Sequence, residues 1–299
     1  MKRFALIGAA GYIAPRHMRA VKETGNELVA ALDKADNVGA LDSYFPDCNF
    51  FTEFERFDRH LDKLRRKGEG VDYVSICSPN YLHDSHIRFA LRQGADAICE
   101  KPLVLSPWNA DALLQIEKET GRRVNTILQL RLHPAIVKLK QDVEQGRKDK
   151  RYDVSLTYIT SRGRWYDVSW KGDAAKSGGI IANIGIHFFD MLLWIFGDVK
   201  ETGNVTASDR EASGYLELER ARVNWLLSTN YEKVPKPERD NGKRTYRSLQ
   251  MDGLEIEFSD GFTELHTKSY QEILKGNGFG LVHAKPSIDL VYRLRNAGV

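Results

Sequence analysis

A glutamate and a lysine stand side by side where a strand is expected to end. Residues 97–99 form a short apolar run, and Glu100, Lys101 and Pro102 follow it. Proline has no backbone N–H and stops a central ladder, so Glu100 and Lys101 lie at the carboxyl end of the predicted strand. Open α/β sheets bind ligands at that edge, where a lysine can exchange a proton with a bound alcohol. A surface ion pair at a turn is the alternative interpretation.

A second group of polar residues lies in the most apolar segment of the chain. Asn183 and His187 are four residues apart and Asp190 follows three later, which predicts that all three share one helical face. Gly185 between them costs about 1 kcal/mol relative to alanine in a helix, so we expect another group to pack closely there. Histidine titrates near ~6.5, which suits His187 to acid–base catalysis near neutrality. A satisfied buried network is the alternative.

A glycine-rich turn follows the first apolar run. Residues 3–7 form a run that is continuously apolar after Arg3, as in a strand buried on both faces; Gly8 follows it directly and Gly11 comes three residues later. Gly8 permits a tight turn, and Gly11 lets backbone N–H groups approach a pyrophosphate. Asp33 ends the next predicted strand, about 20 residues further on, where an acid binds the ribose hydroxyls of a dinucleotide. NAD is therefore favoured over NADP, although the adjacent Lys34 leaves that preference open, and a βα turn without a nucleotide is the alternative.

Another polar cluster leaves a third predicted strand. Residues 71–77 have the apolar character of a buried strand, and Ser78, Pro79, Asn80 and His83 follow its carboxyl end. In a parallel sheet this end lies at the same edge as the carboxyl end of the Glu100 strand. We therefore expect these residues to line the same ligand-binding edge.

These elements predict two domains. Strands alternate with helical patterns over residues 1–127, which indicates a doubly wound parallel sheet of the Rossmann type. Residues 128–299 instead carry several alternating strand patterns, with a hairpin turn at Asp252-Gly253. We predict an α/β chain, with an N-terminal Rossmann domain and a C-terminal α+β domain that has a largely antiparallel, open-faced sheet.

Composition narrows the function classes. The 299 residues are 42% hydrophobic and 28% charged with a net charge of +3, so no nucleic-acid-binding surface is expected. The cysteines Cys48, Cys77 and Cys99 lack metal-type spacing, and we expect thiols and no metal site. The chain starts without a signal-peptide pattern, and the apolar run Ile180–Phe196 is too short and too polar to span a bilayer. We expect a cytoplasmic protein with no membrane partner.

The motifs taken together resemble the Gfo/Idh/MocA family of NAD(P)-dependent sugar oxidoreductases. They are the Gly8 turn, the Ser78 cluster, the Glu100-Lys101-Pro102 stretch and the Asn183–Asp190 helix, and they occur in the family's order over essentially the whole chain. The resemblance implies catalysis by Lys101 and His187 with help from Asn183. It implies NAD binding by Gly8, Gly11, Tyr12, Ile13, Asp33, Ser78, Pro79, Asn80, His83, Glu100, Lys101 and Gln129.

One residue departs from the family pattern. Most members have an aspartate where this chain has Asn183, and an amide can position a hydroxyl but cannot carry its proton. We favour His187 as the base, with Lys101 polarising the substrate oxygen. Whether Lys101 is itself the base stays open.

A narrower resemblance concerns one branch of the family. The segment 163–172, the Asn-Ile-Gly-Ile-His form of the helix, and the segments 266–270 and 276–280 resemble UDP-N-acetylglucosaminuronate 3-dehydrogenases, which serve bacterial lipopolysaccharide and O-antigen pathways. This implies a UDP-sugar substrate oxidised at C3 and a homotetramer or homodimer. The substrate-binding candidates are Lys101, Arg131, Arg164, Trp165, Lys171, Asn183 and His187, with solvated surface charge as the alternative for the arginines and Lys171. The rival functions are a dehydrogenase of a free sugar or inositol and a catalytically silent NAD-binding regulator.

Overall fold

The computed structural model describes residues 1–256, 258, 262 and 264–297. The chain forms two compact units, Met1–Gln129 with Thr263–Lys285, and Leu130–Phe262 with Pro286–Val299. The predicted two-domain division assigned all of 128–299 to the second domain, whereas the segment 263–285 returns to the first unit. Residues 298 and 299 of the predicted second domain lie outside the described residues. Local sequence patterns do not predict that the segment 263–285 packs in the first unit, because the residues that it packs against are remote in sequence.

The first unit is built on a parallel sheet with the strand order β3-β2-β1-β4-β5-β6. Its strands are β1 (Arg3–Ile7), β2 (Glu27–Leu32), β3 (Asn49–Phe51), β4 (Tyr73–Ile76), β5 (Asp96–Cys99) and β6 (Val124–Thr126). The order reverses direction between β1 and β4, and ligands of doubly wound sheets bind at that crevice. β1 and β2 are buried almost throughout, as their unbroken apolar runs predicted.

The chain has helices in both units, and those of the first unit pack on the parallel sheet. They are α1 (Ala14–Glu23), α2 (Gly39–Tyr44), α3 (Phe54–Arg66), α4 (His83–Arg92), α5 (Pro107–Thr120), α6 (Pro134–Gln145), α7 (Trp165–Val168), α8 (Ala174–Ser177), α9 (Ile186–Phe196), α10 (Lys236–Asp240), α11 (Leu265–Leu274) and α12 (Leu281–Asn296). Short 3₁₀ turns occupy Asn80–Leu82, Gln129–Leu132 and Tyr231–Lys233. Tyr270 and Ile273 of α11 are buried in the same core as Phe4 of β1 and Met18 of α1. α11 is therefore an integral layer of the first unit.

The second unit contains a mixed sheet with the order β12-β11-β7-β10-β9-β8. Its strands are β7 (Tyr152–Thr160), β8 (Val199–Ala207), β9 (Glu211–Leu218), β10 (Ala221–Ser228), β11 (Thr245–Met251) and β12 (Leu254–Glu255). β7 and β10 run parallel, and the other neighbouring pairs run antiparallel, as predicted. Residues 254–258 were expected to form the last strand; β12 covers Leu254–Glu255, and Glu257 lies outside the described residues. β8 was not predicted, because this edge strand is mostly polar and exposed.

The buried face of this sheet supports the helix that carries the predicted catalytic residues. A π-turn, Ile181–Gly185, leads directly into α9. A methyl group on Gly185 would lie 2.6 Å from Leu227 Cδ1 of β10 and 2.7 Å from Phe189. This close packing is the reason that was expected for a glycine inside a helix. The stretch Ala174–Phe196 is long and apolar enough to cross a membrane, but 78% of its most apolar window is buried inside the protein, as in a core helix.

Candidate active site

The glycine turn after β1 fits a dinucleotide. Gly8 has φ +89°, and a side chain there would lie 2.6 Å from the backbone carbon of Cys77, so only glycine is accommodated. The Asp33 carboxylate accepts hydrogen bonds of 3.0 Å from the backbone N–H groups of Ala10 and Ala35. Asp33, the acid predicted to bind the ribose, is therefore hydrogen-bonded to the glycine turn through Ala10.

The start of α1 follows the glycine turn, and its first backbone groups are largely engaged: the Ala14 N–H donates to the Gly11 carbonyl, the Arg16 N–H donates to the Ile13 carbonyl, and Pro15 has no N–H. Ile13 is the N-cap residue and supplies no side-chain hydrogen bond, and the first turn has no acidic residue. Tyr12 beside it is 89% exposed. An uncapped helix N-terminus after a glycine turn is the usual pyrophosphate site of this fold.

The cluster after β4 connects two loops of the first unit. The two ring nitrogens of His83 lie 2.7 Å from the carbonyl oxygen of Pro102 and 2.8 Å from that of Ser78. The Ser78 hydroxyl is hydrogen-bonded to His86 Nδ1 at 2.8 Å. Burial lowers the pKa of His83 despite these two carbonyls. His83, a predicted cofactor residue, thus ties the Ser78 loop to the turn containing Lys101, and the partly exposed Pro79 and the buried Asn80 lie between these contacts.

Glu100 is the centre of a buried network at the end of β5. Its Oε1 accepts hydrogen bonds from His17 Nε2 of α1 at 3.0 Å and from His266 Nε2 of α11 at 2.9 Å. Its Oε2 accepts from the backbone N–H of Lys101 at 3.3 Å. Burial alone would raise the pKa of Glu100, but the two histidine donors hold that pKa well below its usual value. Glu100 of the predicted Glu-Lys pair is therefore buried and ordered, whereas Lys101 beside it is partly exposed.

In the second unit, Asn183 lies in the π-turn and His187 in the first turn of α9. Both are partly exposed, whereas Asp190 is buried. Because π-type hydrogen bonds span five residues, the turn separates Asn183 from the regular α-helical face predicted for it. Asn183 Nδ2 donates to the Tyr166 hydroxyl at 3.0 Å. Tyr166 belongs to the loop 162–172, whose tryptophan and tyrosine side chains the sequence offers as candidates for substrate and subunit contacts.

Arg131 forms a buried, bidentate ion pair. Its Nε and Nη2 donate to the two oxygens of Asp190 at 2.9 and 2.7 Å, and both side chains are more than 90% buried. The guanidinium also lies over the Trp194 ring of α9. Two donors of this predicted substrate ligand are thus engaged by α9, and its contact with substrate stays a prediction.

Lys171 has different surroundings. Its ammonium lies 4.5 Å from the ring centre of Trp170 and 5.6 Å from that of Trp165, a double cation–π arrangement. Burial lowers the pKa of Lys171, and Arg162 adds to that effect. Among the described residues no carboxylate pairs with this ammonium, whereas Arg164 nearby is exposed. Compared with Arg131, which is paired with Asp190, and with the exposed Arg164, Lys171 is therefore the stronger candidate to bind an anionic group of the substrate.

The predicted site residues are divided between the two units. The first unit holds the glycine turn, Asp33, the Ser78 cluster, Lys101 and Gln129, and the second holds Arg131, the 164–171 loop, Asn183 and His187. The sequence did not assign His17 or Tyr270 to the site, although Tyr270 ends the segment 266–270 that contributes to the narrower resemblance. The i, i+4 spacing of His266 and Tyr270 was the available signal, because it places both side chains on one helical face.

Two family models match the chain. Residues 2–127 match the NAD-binding Rossmann fold of the Gfo/Idh/MocA oxidoreductase family, and residues 140–238 match the family's C-terminal α/β domain. Among curated proteins, an inositol 2-dehydrogenase of Rhizobium meliloti is 28% identical over 69% of this chain and 58% of its own length. A 2,7-anhydro-N-acetylneuraminate hydratase of Mediterraneibacter gnavus is also 28% identical, over 76% of this chain and 59% of its own length. The chain thus spans less than two thirds of the length of these relatives.

A solved structure matches much more fully. The WlbA (WbpB) dehydrogenase of Thermus thermophilus, in complex with NAD and UDP-GlcNAcA, is 55% identical with a TM-score of 0.95, over 99% of this chain and 95% of that chain. The same dehydrogenase in complex with NAD and α-ketoglutarate gives a TM-score of 0.96 over 100% of this chain and 96% of that chain.

Proposed function

The chain belongs to the Gfo/Idh/MocA oxidoreductase family, and from this premise we propose that it oxidises the C3 hydroxyl of UDP-N-acetylglucosaminuronic acid to a ketone with NAD. The observation that carries the proposal is its 55% identity, over nearly the full length of both chains, with a dehydrogenase crystallised with NAD and UDP-GlcNAcA. The 28% identity with an inositol dehydrogenase keeps free sugars and inositols as the second candidate class.

The residues divide the chemistry between them. Bound NAD supplies the hydride acceptor for the hydrogen on C3. His187 takes the hydroxyl proton as general base, a role worth typically ~10²–10⁴-fold. Lys101 stabilises the negative charge that develops on the substrate oxygen, and Asn183, held by Tyr166, orients the hydroxyl.

The cofactor preference is testable by itself. A carboxylate at Asp33 repels a 2′-phosphate, so NAD(H) should bind much more tightly than NADP(H). The measurement is the dissociation constant of each reduced cofactor from its fluorescence on the purified protein. Equal affinities would show that Lys34, which is exposed beside Asp33, offsets the acid.

The substrate is tested by formation of NADH. We expect absorbance of NADH to appear with UDP-N-acetylglucosaminuronic acid and not with UDP-N-acetylglucosamine, glucose or myo-inositol. Equal turnover of the two UDP-sugars would mean that the carboxylate is not recognised. Turnover of inositol alone would select the second candidate class, and no turnover with any of them would favour a silent NAD-binding protein.

A second reaction has a specific motive in the solved complex with α-ketoglutarate. A 2-oxo acid becomes a 2-hydroxy acid when it takes up a hydride and a proton, so we propose that this chain also reduces α-ketoglutarate at the expense of NADH. The experiment follows the loss of NADH absorbance with α-ketoglutarate and no sugar. A constant absorbance would leave α-ketoglutarate as a ligand without a reaction.

The remaining parts of the proposal concern the setting. We propose a cytoplasmic homotetramer, with a homodimer as the alternative, that serves lipopolysaccharide or O-antigen synthesis. Residues 1–127 are proposed as the Rossmann domain, and residues 128–299, apart from the segment 263–285 that returns to the first unit, as the substrate-binding and oligomerisation domain. Light scattering after gel filtration measures the subunit number, and a monomer would contradict it.

A further inference from the structure

We propose that His17 and His266 are positioning residues that hold Glu100 as a fixed carboxylate and, through it, the backbone of Lys101. This inference rests on the proposed function for its catalytic consequence. It assigns a role to α11, whose sequence His266-Thr-Lys-Ser-Tyr270 is not among the residues given to cofactor or substrate. The network consists of Ser75, Tyr270, His17, Glu100 and His266, and all five are buried in the first unit.

The hydrogen bonds determine the tautomers of both histidines. A carboxylate oxygen accepts only, so the two ring nitrogens that meet Glu100 Oε1, those of His17 and His266, must both be N–H groups. In the neutral ring, His17 Nδ1 is then an acceptor, and the Tyr270 hydroxyl donates to it at 2.8 Å. Tyr270 in turn accepts from the Ser75 hydroxyl at 2.6 Å. Every proton in this chain therefore points towards Glu100.

His266 has one role within the network. Its Nδ1 is buried and has no hydrogen-bond partner among the described residues. The ring therefore contacts the network through Nε2 alone.

The charge at this position comes from Glu100. Burial lowers the pKa of His17, which keeps that ring neutral, whereas the two donors hold the pKa of Glu100 low. Glu100 in turn contributes to raising the pKa of the thiols of Cys77 and Cys99 and of the Tyr270 hydroxyl, although burial is the main cause for each. The titratable or charged groups that face Glu100 are His17, Cys77, His83, Cys99, Lys101, His266 and Tyr270.

The link to Lys101 is through its backbone. Glu100 Oε2 accepts from the Lys101 N–H at 3.3 Å, and the Glu100 N–H donates to the carbonyl of Ile76 in β4 at 3.0 Å. With Oε1 held by two histidines, rotation of the carboxylate is blocked. The backbone from which the Lys101 side chain extends is therefore held in place. A catalytic group must be positioned in this way to act on a bound substrate.

His17, Glu100 and His266 also offer possible ligands for a metal ion, because one ligand atom from each lies within 4.8 Å of the other two. A metal would need the lone pairs of both Nε2 atoms. The contacts of 2.9 and 3.0 Å to Glu100 have the length of ordinary N–H···O hydrogen bonds, which use those positions for protons. The geometry therefore favours a hydrogen-bonded network.

The test compares two replacements of His266. Glutamine can place an N–H near the position of Nε2, whereas leucine fills the space without a donor. We expect His266→Gln to keep kcat within about threefold of wild type and His266→Leu to lower kcat by about 10–100-fold. Loss of one donor should also raise the Glu100 pKa, so on acidification NADH affinity should begin to fall at a higher pH in His266→Leu only.

A matched control lies on the same helix. Thr267 is buried and donates to Glu23 of α1 at 2.7 Å, outside the network. Thr267→Val should therefore weaken the packing of α11 without moving the pH profile. If His266→Leu fails to fold, Tyr270→Phe removes the donor to His17 together with the acceptor of the Ser75 hydroxyl, keeps both histidine donors to Glu100, and should give a smaller shift in the same direction.

The outcomes separate this inference from the proposed function. The pH dependence of NADH affinity is measured without any sugar, by comparing His266→Leu with wild type. The network is therefore tested even if no UDP-sugar is oxidised. Equal profiles for wild type, His266→Gln and His266→Leu would overturn the inference. So would tight Zn²⁺ binding by the wild type that His266→Leu abolishes.

Discussion

At the scale of single residues, the predicted catalytic groups have neighbours that set what each can do. Asn183 is held by the Tyr166 hydroxyl, and the pKa of Tyr166 is raised, mainly by burial. A neutral phenol beside a neutral amide can orient a substrate hydroxyl but offers no base. In the proposed reaction, the base is therefore His187 or Lys101.

The assignment of the base leads to the first prediction. His187→Asn should lower kcat by ~10²–10⁴-fold because it removes the general base, whereas Asn183→Asp should keep the fold and measurable turnover. Steady-state NADH formation gives both values, and circular dichroism checks folding. Near-normal turnover of His187→Asn would move the role of base to Lys101.

The second prediction concerns recognition of the substrate's carboxylate. Lys171 is held by two tryptophan rings, so its charge is available in a fixed place. Lys171→Met should raise KM for the UDP-uronate by about 10–100-fold, the usual range for a lost charged hydrogen bond, and should change UDP-N-acetylglucosamine binding little. Lys176→Met is the control, because Lys176 is exposed and paired with Asp173 at 3.0 Å. An equal loss for both UDP-sugars would assign Lys171 to the diphosphate.

At the scale of elements, the helix that carries His187 is anchored by a buried ion pair. Arg131 lies just before α6, and its bidentate bond to Asp190 attaches that segment to α9. The pair is enclosed on one side by Trp194. Buried pairs of this kind are costly to break, since the surviving charge has no compensation.

This anchoring gives the third prediction. Arg131→Met should lower the free energy of unfolding by about 3–5 kcal/mol, because Asp190 would be left buried and unpaired. The double variant Arg131→Met/Asp190→Leu should recover much of that loss. Urea unfolding measures both, and a stable single variant with a raised KM would instead make Arg131 chiefly a substrate ligand.

At the scale of the whole molecule, buried histidines tie stability to pH. Burial lowers the pKa of His17, His83 and His86, that of His86 to about 4. The unfolded chain takes up these protons near pH ~6.5, while the folded chain resists protonation. Stability should therefore be complete above about pH 6.5 and decline as the pH falls towards 4.

The fourth prediction follows from that window. His86 alone should account for about 3 kcal/mol of lost unfolding free energy between its unfolded and folded pKa values. Thermal or urea unfolding at a series of pH values should show a shallower slope for His86→Gln than for wild type. Parallel slopes would show that His86 is not a significant acid-sensitive group.

Local sequence patterns were sufficient for much of the first unit. β1 and β2 are continuous apolar runs because both faces of a parallel sheet are covered, and Gly8 is glycine because the Cys77 backbone leaves no room for a side chain. Asp33 and Glu100-Lys101 were placed correctly at strand ends because the residues that end a strand are adjacent to it in sequence. β8 was missed because an exposed edge strand carries little apolar pattern.

By itself, the sequence determined the alternating architecture, the glycine turn and the positions of Lys101 and His187 on their elements. The tertiary structure alone decided which side chains those residues meet. Glu100 bonds to His266 across 166 residues of sequence, and Arg131 pairs with Asp190 across 59. The physical reason is that periodicity reports which face of an element is buried, whereas the partner of a buried charge depends on how remote elements pack together.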